Sequence, residues 1–129
     1  MNKPPLILIV DDEPDFREIF SAKLSSEGFN VDTANDGEEG IQKAKKLRPD
    51  LVLMDVQMPG ISGVEALIRI KEDPKLEDIP ILFLTALGDP RAELQEINRR
   101  LSRELGAVGY VKKTEDLNVL VEYIRNFLQ

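Results

Sequence analysis

Leu6-Ile7-Leu8-Ile9-Val10-Asp11-Asp12-Glu13-Pro14 changes character in one step, from five apolar residues to three consecutive carboxylates and a proline. A continuous apolar run this short reads as a strand covered on both faces. Pro14 suits the first turn of a helix, where its missing N–H is not needed. The same step recurs further on. Leu51–Met54 runs into Asp55, Ile81–Leu84 into Thr85, and Val108–Lys112 into Lys113, while a shorter strand over Asn30–Ala34 leads to Asn35-Asp36-Gly37. Helical spacing fills the gaps between the runs. Phe16, Ile19, Phe20 and Leu24 form one inward stripe, ended by Gly28, and Ile41, Ala44 and Leu47 form a second, which stops before Arg48-Pro49. Ser62-Gly63-Val64-Glu65 is a capping-box signature, opening a helix with Val64, Leu67 and Ile68 inward. Asp89-Pro90 opens a helix over residues 90–105 carrying Leu94, Ile97, Leu101 and Leu105, and Leu117, Leu120, Val121, Ile124 and Leu128 mark the last.

Strict alternation of strands and helices with right-handed crossovers gives a parallel sheet with helices on both faces. Five strands suit a doubly wound α/β fold of order 2-1-3-4-5, whose ligand crevice opens at the carboxyl ends of strands 1 and 3. Asp11, Asp12 and Asp55 stand at those two ends. A chain of 129 residues is enough for one buried core and too short for two, so residues 1–129 read as a single domain. With 24 acidic against 17 basic residues the net charge is −7, the wrong sign for direct nucleic-acid binding. No apolar run approaches the ~20 residues of a membrane span. The absence of cysteine excludes disulfides and thiolate metal sites, and the absence of histidine removes the commonest general base and metal ligand.

Taken singly, the strand-end residues have plain structural uses. Asp11-Asp12-Glu13 can cap a helix and offset its dipole, Asp55 can cap a turn, Thr85 can close a strand, and Lys112-Lys113 can be a solvated pair. Together they converge on one crevice. Carboxylates crowded within about 5 Å need a cation to stay ionised. Mg²⁺ fits that need: it takes hard oxygen ligands and is held by one or two carboxylates together with phosphate oxygens. Asp55 then serves as a nucleophile that needs no deprotonating base. Thr85 can donate a hydrogen bond to a phosphoryl group, and a lysine can pair with it as a point charge.

The whole chain resembles the receiver domain of two-component response regulators, of the flavodoxin-like, chemotaxis-receiver kind. The resemblance rests on Ile9-Val10-Asp11-Asp12-Glu13, on Asp50 to Asp55 continuing through Gln57-Met58-Pro59-Gly60 to Gly63, on Leu84-Thr85-Ala86, and on Gly106-Ala107-Val108-Gly109-Tyr110 to Lys113. The 2-1-3-4-5 order is itself known from this family, so order and resemblance are not independent. The resemblance implies that Asp55 is phosphorylated by the phosphohistidine of a sensor histidine kinase or phosphotransfer protein. It implies Mg²⁺ held by Asp12 and Asp55 directly, by Asp11 partly through water, and by the backbone carbonyl of Gln57. Thr85 and Tyr110 match the switch pair, and a count from Gly106-Ala107 puts the family's lysine on Lys113 rather than Lys112. A cytoplasmic location is implied, with output through a downstream protein or a fused domain.

Two departures stand out. Thr114 replaces the proline that usually follows the lysine in a cis bond, so the Lys113–Thr114 bond is expected to be trans, leaving Thr114 to cap the last helix with Glu115 and Asp116 in its first turn. The segment from Thr85 to Lys113 is longer than usual by roughly a turn and a half of helix, which is expected to reshape the output face. Three other readings compete. An aspartyl phosphatase of the haloacid-dehalogenase kind needs a second Asp where Gln57 stands. A flavodoxin-like FMN carrier needs a Ser/Thr/Gly-rich first loop where Asp11-Asp12-Glu13 stands. A receiver acting only through protein contact, without switching, would carry the same residues.

Overall fold

The computed structural model describes residues 3–85 and 106–128. Its elements in chain order are β1 (Leu6–Val10), α1 (Pro14–Ser26), β2 (Asn30–Ala34), α2 (Gly37–Leu47), β3 (Leu51–Asp55), α3 (Gly63–Glu72), β4 (Ile81–Thr85), β5 (Gly109–Lys112) and α4 (Leu117–Leu128). The strands form one parallel sheet in the order β2-β1-β3-β4-β5, as the alternation predicts. The helix expected over residues 90–105, with its Asp89-Pro90 start, lies outside the described residues.

Residue parity along the strands decides which side chain meets which helix, because successive side chains of a strand point to opposite faces. Leu8, Val10, Val52, Met54, Ile81 and Phe83 pack against Ile41 and Ala44 of α2 and Ala66, Leu67 and Ile70 of α3. Ile7, Ile9, Leu51, Leu53, Leu82 and Leu84 pack against Phe20 and Leu24 of α1 and Leu120, Val121 and Ile124 of α4. Both faces are therefore dry, which is why these strands read as unbroken apolar runs.

The helix termini follow local chemistry. Gly28 ends α1 with φ +96°, a conformation that costs glycine little. Asp36 caps α2 by accepting from Glu39 N–H at 2.8 Å, and Ser62 caps α3 by accepting from Glu65 N–H at 3.1 Å. Glu13 stands at the cap position of α1 without a side-chain capping bond, and Pro14 follows it.

Four expectations need correction. Ile19 is 58% exposed, because α1 turns the line Phe16-Phe20-Leu24 inward and leaves Ile19 at its edge. In α3 the buried line is Ala66, Leu67 and Ile70; Val64 is half-buried but packs inward against that cluster as expected, whereas Ile68 does not belong to it. β5 begins at Gly109, with Val108 exposed ahead of it, while β3 and β4 extend one residue further to include Asp55 and Thr85. Thr114 does not cap α4. Residues 112–115 form a turn, with Glu115 N–H donating to Lys112 C=O at 3.1 Å, and the helix starts two residues later than expected. Asp116 is the cap, its Oδ1 accepting from Asn118 N–H at 2.8 Å. The Lys113–Thr114 bond is trans, like every peptide bond among the described residues.

Candidate functional site

β1 and β3 are neighbours, so their carboxyl ends deliver Asp11 and Asp55 side by side. The parity that places Ile7, Ile9, Leu51 and Leu53 on the α1/α4 face continues to Asp11 and Asp55, and through Val111 to Lys113. Thr85 and Tyr110 continue the opposite parity, that of Ile81 and Phe83. Tyr110 is partly buried against the cluster on that face. Lys112 shares this parity and is exposed, so Lys113 is the lysine that reaches the crevice, as the residue count predicts.

Asp55 is almost fully buried, with both carboxylate oxygens occupied. Oδ1 accepts from Gln57 N–H at 3.1 Å, and Oδ2 accepts from Lys113 Nζ at 3.0 Å. The turn beyond it is held tightly. Val56 N–H donates to Leu84 C=O at 3.0 Å, and Gly63 N–H donates to Val56 C=O at 2.9 Å. A Cβ on residue 63 would stand 2.1 Å from the Asp55 carbonyl oxygen, so α3 reaches this strand end only because its first residue is glycine. Burial pushes the Asp55 carboxyl up from 3.8 to about 6; the hydrogen bond from Lys113 opposes this rise, and the charge of Asp11 adds to it.

Lys113 Nζ lies at the centre of the carboxylates. It donates to Glu13 Oε1 and Asp55 Oδ2, each at 3.0 Å, and forms its shortest ion pair with Asp11 Oδ2 at 2.6 Å. The Phe16 ring lies beside it, 4.9 Å from Nζ to the ring centroid. Burial disfavours the charged ammonium, yet Asp11, Glu13 and Asp55 outweigh burial and hold Lys113 above the usual lysine range.

Carboxylate oxygens of Asp11, Asp12 and Asp55 lie within 4.8 Å of one another, close enough to share one cation. Asp11 Oδ2 is buried and faces the Lys113 ammonium at 2.6 Å, so this oxygen is already held against positive charge within the cluster. Its partner Oδ1 is used, accepting from Glu13 N–H at 2.9 Å. An all-oxygen donor set of this charge suits a hard divalent cation. Gln57 lies in the turn just beyond Asp55, and Thr85 is buried at the end of the adjacent strand, its carbonyl accepting from Lys113 N–H at 2.8 Å. Sequence reasoning missed two participants, Glu13 and Phe16. The only signal for Glu13 was its adjacency to Asp11-Asp12, and a carboxylate before a helix already has an ordinary use in capping.

A carboxylate ionised at neutral pH and held beside an ammonium, in the ligand crevice of this fold, is characteristic of phosphoryl-accepting signalling switches. The chain belongs to the response regulator receiver domain family, whose model matches residues 7–125. It is 34% identical over 125 residues to the DNA-binding dual master transcriptional regulator RpaA of Synechocystis, covering 97% of this chain and 49% of that one. It is also 34% identical over 128 residues to hybrid signal transduction histidine kinase D of Dictyostelium discoideum, covering 99% of this chain and 8% of the kinase. The chain thus spans half or less of these relatives' lengths. Among solved structures, a putative response regulator from Chloroflexus aurantiacus superposes with a TM-score of 0.84 at 36% identity over 98% of both chains. Among the described residues, no helix is long and apolar enough to cross a membrane.

Proposed function

We propose that Asp55 accepts a phosphoryl group from the phosphohistidine of a sensor histidine kinase or phosphotransfer protein, and that the resulting aspartyl phosphate switches the domain's output. The observation that carries this reading is the setting of Asp55: buried at the end of a central strand, bonded to Lys113, and within coordination range of Asp11 and Asp12. An Asp55 oxygen attacks phosphorus, the P–N bond breaks, and the histidine nitrogen leaves with the electron pair. With its carboxyl near 6, Asp55 is mostly ionised at neutral pH and needs no general base. Lys113 offsets the negative charge gathered on the phosphoryl oxygens, and the Thr85 hydroxyl donates to one of them. Tyr110, which shares the face of Thr85, follows the movement of that hydroxyl and passes it to the surface.

Mg²⁺, held by Asp11, Asp12, Asp55 and the Gln57 carbonyl, would neutralise the carboxylates and draw in a phosphoryl oxygen. The domain would catalyse its own phosphorylation and dephosphorylation rather than turn over an outside substrate. Its output would pass to a downstream protein, or to a fused domain such as the DNA-binding regulator and the hybrid kinase carry by name. A cytoplasmic location goes with this reading, because phosphohistidine donors draw on ATP.

The test is labelling of wild type and Asp55→Asn with a phosphohistidine donor or acetyl phosphate. Wild type should label with Mg²⁺ and fail with EDTA, and Asp55→Asn should not label at all. Label retained on the Asn variant would refute the assignment.

A further inference from the structure

Lys113 is bound by more than the two buried carboxylates. Its side chain is 8% exposed, and its third partner, Glu13, is 62% exposed at the solvent side of the crevice. Glu13 therefore places a negative charge, beside Asp12, on the side from which an incoming phosphoryl donor enters, only two hydrogen bonds from Asp55 Oδ2. It is also the partner Lys113 holds least firmly, since an exposed ion pair is screened by water and salt while the buried pairs with Asp11 and Asp55 are not. The backbone next to it is fixed: Glu13 N–H donates to Asp11 Oδ1, and Glu13 C=O accepts the first helical bond from Arg17 N–H at 3.1 Å. Only the side chain of Glu13 is free to leave. Nothing in the capping of α1 requires that side chain, because Glu13 makes no capping bond.

We propose that Glu13 is a positioning residue that restrains phosphorylation: it holds Lys113 at the mouth of the crevice in the resting state and must release it to the incoming phosphoryl group. The inference rests on Asp55 being the phosphoacceptor. Two effects follow from one carboxylate. Glu13 repels an anionic donor at the entrance, and it competes for the ammonium that the phosphoryl oxygens need. Removing its charge should therefore speed phosphorylation, most of all with the most highly charged donor and at low salt. Glu13 takes no part in bond making or breaking.

The experiment compares wild type, Glu13→Gln, Glu13→Asp and Asp55→Asn, all confirmed folded by circular dichroism, at saturating Mg²⁺. Donors are acetyl phosphate and the less negatively charged phosphoramidate, each at low and high ionic strength. Glu13→Gln should label about five-fold faster with acetyl phosphate at low salt, gain less with phosphoramidate, and lose most of its advantage at high salt. Glu13→Asp, which keeps the charge but is one methylene too short to hold Lys113, should fall between wild type and Glu13→Gln. An unchanged or slower rate for Glu13→Gln overturns the proposal. So does a ten-fold or greater rise in the Mg²⁺ concentration needed for half-maximal labelling, which would make Glu13 a metal ligand instead. Asp55→Asn separates the two levels: label on that variant defeats the phosphoacceptor reading, whereas an unlabelled Asn variant beside an unaccelerated Glu13→Gln defeats only the role of Glu13.

Discussion

On the proposed reading, Asp55 would be buried to keep water from a phosphoryl group and ionised to act as a nucleophile, and these demands oppose each other. Lys113 reconciles them in part, yet burial still leaves the carboxyl near 6, above its unfolded 3.8. An acid whose pKa is raised on folding contributes stability that is fully present below the unfolded value and lost as pH rises through the folded one. In metal-free protein, the stability of Asp55→Asn relative to wild type should grow by about 3 kcal/mol between about pH 4 and about pH 6.5 and then level off. Urea unfolding of both proteins in EDTA measures this. An advantage that does not change with pH would show that the strain lies elsewhere. Asp55, Asp11 and Lys113 were all legible as residues at strand ends. The pKa of Asp55 was not, because it depends on how much apolar surface closes around the carboxylate.

At the scale of elements, the start of α4 shows how nearby polar residues compete for one capping position. Thr114 was the residue freed by the missing proline, and its hydroxyl is a good cap. The turn at residues 112–115 uses the backbone of Lys112 and Glu115, however, and moves the first helical residue to Leu117. The carboxylate of Asp116 then meets Asn118 N–H. Asp116→Ala should cost about 1 kcal/mol, while Thr114→Ala should lie within about 0.5 kcal/mol of wild type. Thermal unfolding of the two variants checks the order, and the reverse order would restore Thr114 as the cap. The cap at Ser62 was readable because it stands before a helical stripe with Glu65 three residues on, whereas Asp36, beside Asn35, was not read as a cap.

For the whole molecule, the crevice is where the two sheet faces meet. Asp11, Asp55 and Lys113 belong by parity to the face of α1 and α4, Thr85 and Tyr110 to the other, and both sets end at the same edge of the sheet. A cation bound there ties β1 to β3 in the folded state only, so it should raise the unfolding temperature of the whole domain. At a Mg²⁺ concentration 100 times the dissociation constant the gain should be about 2.7 kcal/mol. Asp12→Ala should lose most of the gain, measured by thermal scans with Mg²⁺ and with EDTA. An equal shift in Asp12→Ala would place the cation elsewhere. By itself the sequence determined the strands, the four helices found among the described residues, and the carboxylates at the strand ends, because these are written in neighbouring residues and short periods. Tertiary structure alone decided that Glu13 shares Lys113 with Asp11 and Asp55, that Lys113 is nearly closed off from water, and that Ile19 faces water. Lys113 lies 100 residues from Glu13 and 58 from Asp55 in the chain, so the energies of these ion pairs come from the packing of distant elements and the exclusion of water, which no local pattern encodes.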